Sequence, residues 1–156
     1  MAATWPTARA AIKAQLHGVT WTPAGFATSE LTAFEYAVPG RQDAVNWPYA
    51  FIMPTEQRVR REPGGQRMTD IDAVVRVMLA PAGQSDNIES LQTQYDAAVE
   101  ALKDALDDGV ALDGTADIFL EQVFAGLVLF DDIDKGWGFE MTLEGIQISE
   151  TKTFGV

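Results

Sequence analysis

A chain of 156 residues, 47% of them apolar, has the material for one well-buried core, and a chain of this length buries roughly 70% of the surface that its unfolded form exposes. Because it contains no cysteine, disulfides, thiolate metal sites and thiol nucleophiles are excluded together. Its 11 basic residues against 23 acidic ones give a net charge of −12, a field that repels nucleic-acid phosphates and excludes the electrostatic footprint of a DNA-binding protein. The charge is uneven: residues 1–85 carry 8 basic against 7 acidic groups, and residues 86–150 carry 2 against 16. The longest apolar run, Val123 to Phe130, falls far short of the roughly 20 residues that cross a bilayer, and the amino-terminal segment lacks a basic stretch followed by an apolar one. A soluble, unsecreted protein without membrane partners is expected.

The first helix is predicted to begin near Thr4 or Thr7, with Pro6 tolerated in its first turn and Ala8, Ala11, Ile12 and Leu16 on one face; His17 and Gly18 end it. Val19 to Ala27 reads as loop, and Glu30 to Tyr36 as a strand with Leu31 and Ala33 in phase. Pro39 to Asn46 reads as a surface loop. Between Trp47 and Pro54 an apolar run bounded by prolines predicts a buried strand of about five residues. Glu56 to Glu62, the turn Pro63-Gly64-Gly65 and Gln66 to Ala80 predict a long hairpin, because paired glycines after a proline suit a tight reversal. On its second strand Ile71, Ala73, Val75, Val77 and Leu79 share a face, while the half nearest the turn is polar and is expected to project from the body of the domain.

A second helix is predicted after Pro81 to Ser85, capped by Asp86 with Glu89 in the capping-box position and stopped at Gly109. Ile88, Leu91, Tyr95, Val99, Leu102 and Leu106 form its apolar stripe. Strands over Ala116 to Phe124 and Leu127 to Phe130 lead through an acidic loop to a last strand, Trp137 to Ile148. In that strand Phe139, Met141 and Leu143 share one phase and Ile146 and Ile148 the other, so a bulge at Gly145 is predicted to return them to one face. The expected architecture is α+β: one domain spanning 1–156, a mostly antiparallel sheet with a projecting β-hairpin, packed against two helices, with a flexible tail over 149–156.

Chemistry is sparse. The lone histidine, His17, lies at a helix C-terminus and is read as a cap for free carbonyls; neither a nucleophile motif nor a metal-ligand spacing accompanies it. A serine-hydrolase elbow and a phosphate-binding loop are both missing. In the loop Asp131-Asp132-Ile133-Asp134-Lys135-Gly136, a calcium register starting at Asp132 places Leu143 where the bidentate glutamate belongs, so the loop is read as solvated, with no metal. No catalytic residue and no cofactor site are assigned, and the chain is expected not to be an enzyme. The one local departure from acidity is the hairpin: Arg58, Arg60, Arg61 and Arg67 cluster about its turn as a candidate interface, since guanidinium forks pair with carboxylates on a neighbouring surface. Protection of the strand edge against aggregation explains the same four arginines equally well.

In its order of elements the chain resembles the tail terminator proteins of long-tailed bacteriophages, the family of the minor tail protein that caps the lambda tube. The resemblance runs through Arg9-Ala10-Ala11-Ile12, Trp47-Pro48-Tyr49-Ala50, Val75-Arg76-Val77-Met78-Leu79-Ala80-Pro81, the amphipathic helix before Leu112 and Gly136-Trp137-Gly138-Phe139-Glu140. It implies a virion protein, made in the host cytoplasm and placed at the head-proximal end of the tail. There it forms a homo-hexameric ring on the last ring of tail tube protein, stops its growth and offers a surface to the head connector or neck protein, while DNA passes through without specific binding. A neck or tail-completion adaptor is the alternative, and a small calcium- or ligand-binding module stands behind both.

Overall fold

The computed structural model describes residues 4–41, 46–83, 88–107 and 121–151. The first helix, α1 (Trp5–Leu16), starts where Thr4 and Thr7 close a reciprocal capping box, and Pro6 occupies a first-turn position that needs no amide donor. Its buried stripe is Trp5, Ala8, Ala11, Ile12 and Leu16. The predicted loop that follows contains a short strand, β1 (Thr20–Trp21), antiparallel to β2 (Ser29–Glu30), which tucks Trp21 into the core. The predicted strand over 30–36 therefore divides at Leu31: β2 joins β1, and β3 (Thr32–Phe34) joins the main sheet.

The main sheet is organised by two long antiparallel strands, β6 (Gln66–Pro81) and β9 (Lys135–Thr151), paired along nearly their whole length. On one side β4 (Tyr49–Ile52), with β3 parallel to it, flanks the inner half of β6, and β5 (Gln57–Glu62) flanks the outer half. On the other side β7 (Glu121–Phe124) and β8 (Val128–Asp131) follow each other along β9. The predicted bulge is present. Ile71 pairs with Ile146 and Ala73 with Leu143, so Glu144 and Gly145 stand opposite Asp72, with Gly145 at φ +81°. The extra residue puts Leu143, Ile146 and Ile148 on one buried face.

That face carries α1 and the second helix, α2 (Ile88–Asp107). Ala98, Val99, Leu102 and Leu106 pack with Ile71, Val75, Phe139, Met141 and Ile148 in one core, and Leu91 of the same helix is also buried. Ile88, expected on the stripe, is 53% exposed; the proposed Asp86 cap and Gly109 stop lie outside the described residues, as do residues 116–120 of the predicted strand. A second, smaller core lies on the opposite face of the sheet, where Tyr49, Phe51 and Met78 pack with Phe34, Trp47, Phe130 and Ile133. The inner half of β6 is thus buried on both faces. The single α+β domain and mostly antiparallel sheet match the expectation. The hairpin does not extend alone, however: β9 continues to Thr151, with Gln66 opposite Thr151, making a three-stranded arm. Ladder pairing takes up Ser149, Glu150 and Thr151, which the sequence assigned to the flexible tail; residues 152–156 lie outside the described ones.

Candidate interface

The hairpin register brings the four arginines together and also supplies their counter-charges. Arg58 is opposite Asp70, and Arg60 opposite Met68, so Arg58, Arg60 and Glu62 share the helix-free face with Asp70 and Asp72. Arg60 donates from Nε to Asp70 (3.0 Å) and from Nη1 to Glu62; Arg58 reaches Asp72 at 3.2 Å and Glu56 at 3.6 Å. Arg61 and Arg67 stand opposite each other on the helix-side face, Arg67 is in register with Glu150, and neither is free. Over residues 56–72, four arginines meet four carboxylates, so the arm is balanced in charge where the sequence suggested a basic projection. Arg58, Val59, Arg60 and Arg61 are all exposed, which leaves both faces of β5 in solvent. The signal was available in the sequence: a three-residue turn at 63–65 sets the register that places Asp70 and Asp72 beside Arg58 and Arg60.

The acidic loop is not simply solvated, which corrects its reading from sequence. Asp134 is 2% exposed and accepts hydrogen bonds from the Tyr49 hydroxyl (2.5 Å) and the Gly40 amide (3.0 Å). Asp132 takes a two-pronged contact from Arg76, whose Nη2 also reaches Glu140 at 3.2 Å and whose guanidinium carbon lies 4.0 Å from the centre of the Phe130 ring. Hydrogen bonding from Arg76 holds the Asp132 carboxyl below the ordinary carboxylate range. Lys135 lies 3.6 Å from Asp131. The loop is therefore an anchored cover over the small core, its carboxylates committed to Arg76, Tyr49 and Lys135. Among the described residues no group of three or more His, Asp or Glu is placed to hold a metal ion.

Burial first, and the Asp134 carboxylate second, push the Tyr49 phenol far up, so it remains a donor at any physiological pH. Replacing Tyr49 with phenylalanine leaves one oxygen of a buried carboxylate without its donor. The expected cost is about 2 kcal/mol, read by urea denaturation, because a hydrogen bond to a charged acceptor is worth roughly 1.5–3 kcal/mol. A loss of under about 0.5 kcal/mol, the size of an ordinary surface change, would show that water replaces the hydroxyl.

His17 is the C-cap residue of α1, but its ring does not cap carbonyls. Its Nδ1 accepts the Ala33 amide at 3.1 Å and so ties the helix end to β3, because the chain turns back there and leaves that amide facing the imidazole. A 190 Å³ cavity between α1 and the segment after β4 is lined by Trp5, Arg9, Glu35, Tyr36 and Met53. It is smaller than the roughly 300–1,000 Å³ of ligand sites, and its guanidinium already stacks on Tyr36 and donates to the phenol oxygen at 2.6 Å.

The outer side of β9 carries exposed apolar side chains: Val123, Val128 and Leu129 are 41%, 44% and 51% exposed on β7 and β8. Beside them Glu121 stands opposite Glu144 in the ladder. Desolvation, then Glu121 and Asp72, hold the Glu144 carboxyl above its ordinary range. Among the described residues no helix is long and apolar enough to cross a membrane. No family model matches the chain, and no curated protein is similar to it.

Proposed function

We propose that this protein is a structural subunit of a bacteriophage tail, one that forms a ring on the tail tube, ends tube growth and presents a surface to the head connector. The observation that carries the proposal is the layout of the sheet. A closed ring needs two different surfaces on each copy, and the sheet has two unlike sides: β5 with its guanidinium groups on a solvated arm, and β7 and β8 with carboxylates and apolar side chains. A net charge of −12 suits a channel through which DNA passes without adhering. The calcium-module alternative loses its support, because the loop carboxylates already have protein partners. No reaction is assigned: among the described residues the lone histidine serves the backbone.

The test is electron microscopy of tails assembled without this gene product. Overlong or uneven tails are the expected result. Tails of normal length that fail to join heads assign the chain to the neck instead, and intact virions reject both roles.

A further inference from the structure

We propose that copies of this chain join edge to edge through their main sheets, β5 of one copy adding antiparallel to β7 of the next with Arg60 set against Glu121. The proposal rests on the ring reading and names the surfaces that would close the ring.

Strand directions come first. β5 and β9 both run antiparallel to β6, and β7 runs antiparallel to β9, so β5 and β7 point in opposite directions at opposite sides of one sheet. When a second copy continues the sheet in the same orientation, its β5 meets β7 of the first as an antiparallel neighbour, the pairing of two-sided open sheets. Side-chain faces agree as well. Glu121 and Val123 lie on the helix-free face, in line with Glu144 and Thr142, and Arg58 and Arg60 lie on the same face, in line with Asp70 and Met68.

With Arg60 opposite Glu121, Arg58 falls opposite Val123 and Val59 opposite Gln122. Val59, 58% exposed, then lies diagonally beside Phe124, within reach of an aromatic ring. The chemistry decides between a like and an unlike edge. Two β5 strands would bring arginine against arginine, and two β7 strands would leave each Glu121 and Glu144 opposed without a cation. Only the mixed contact sets a guanidinium beside the opposed carboxylates of Glu121 and Glu144. Arg60 uses Nε for Asp70 and Nη1 for Glu62, two of the nitrogens of a guanidinium that has five N–H donors in all.

The experiment exchanges the charges. Arg60→Glu and Glu121→Arg are each expected to weaken association in sedimentation velocity at physiological salt by about tenfold or more, while the double variant, and an equal mixture of the two single variants, recover it to within about threefold. The mixture recovers because a ring that alternates the two variants restores an opposite-charge pair at every contact. Matching thermal melts check that the variants fold. A second measurement does not depend on charge: because the chain has no cysteine, Val59→Cys with Gln122→Cys should give a ladder of intermolecular disulfides longer than a dimer, since antiparallel neighbours lie within the roughly 4.4–6.8 Å Cα spacing that a disulfide spans. Oligomers that form normally in both single reversals, or that show no ladder, overturn the edge pairing and leave the ring standing. A wild-type protein that stays monomeric and does not co-sediment with tail tubes overturns both.

Discussion

Replacing Gly138 with alanine should cost about 3 kcal/mol, at the top of the range for overfilling a packed interior. A Cβ built there falls 2.1 Å from the Val77 carbonyl oxygen and 3.1 Å from the Met78 Cα. Both belong to the backbone of β6, at the second register shift of the central ladder, between Met78 and Ala80. No side chain can swing aside, and Val77, Met78 and Phe139 are 0% exposed, so neither strand can retreat without opening a core. Calorimetry should show a fall of roughly 6–12 °C, from the 2–4 °C per kcal/mol typical of domains of this size. Gly126→Ala, where nothing lies within 4 Å of the new methyl, is the control and should leave the midpoint almost unmoved. A Gly138→Ala protein melting within about 2 °C of wild type, the shift of under 1 kcal/mol, would mean that the two strands separate far more readily than their burial implies.

The second large effect concerns Arg76, 5% exposed between Asp132, Glu140 and the Phe130 ring. Truncation to alanine should cost about 2–3 kcal/mol, somewhat below the roughly 3–5 kcal/mol of a fully buried pair, because the carboxylate side of the contact reaches water; the Asp132 side chain is 59% exposed. Methionine, which keeps the stem over Phe130, should cost only about 1 kcal/mol. Equal losses for alanine and methionine would place the stabilisation in the charges instead of the stem. The pH dependence gives an independent reading. Since the folded Asp132 carboxyl lies below its unfolded value of about 4, its contribution is complete above that pH and is lost as pH falls through the lower folded value. The Arg76→Met protein should lack this part of the acid limb in urea titrations.

Local pattern and non-local register account for what was and was not legible in the sequence. The α1 stripe, the hairpin with its Pro-Gly-Gly turn and the bulge at Gly145 all follow from spacing within a few residues, and all are present. The change of phase between Leu143 and Ile146 was enough to place the bulge. By contrast, Arg76 and Asp132 are 56 positions apart and Tyr49 and Asp134 are 85 apart; only the assembled sheet brings them together, so the acidic loop read as solvated. β1 and β2, two residues each, are too short to show a period. The apolar run from Val123 to Phe130 was legible as strand but not as edge: its Val123, Val128 and Leu129 remain exposed because they lie on the outermost strands. Of the four hairpin arginines, position was legible directly, whereas partnership follows only once the turn register is worked out: Asp70 and Asp72 come from the facing strand, and Glu56 and Glu62 from the arginines' own side of the turn.

The pairing of β6 with β9 has a consequence for synthesis. Its nearest partners, Pro81 and Gly136, and its furthest, Gln66 and Thr151, are joined through everything the chain makes in between, α2 included. Closing such a loop costs entropy before any contact rewards it, and domains dominated by distant pairings fold in roughly milliseconds to seconds. While the ribosome is still adding residues up to β9, β6 must wait with one side unpaired and its apolar face only partly covered. In that interval β6 could be claimed by another nascent copy, so the polar, charge-balanced composition of the arm also protects the chain before it is complete.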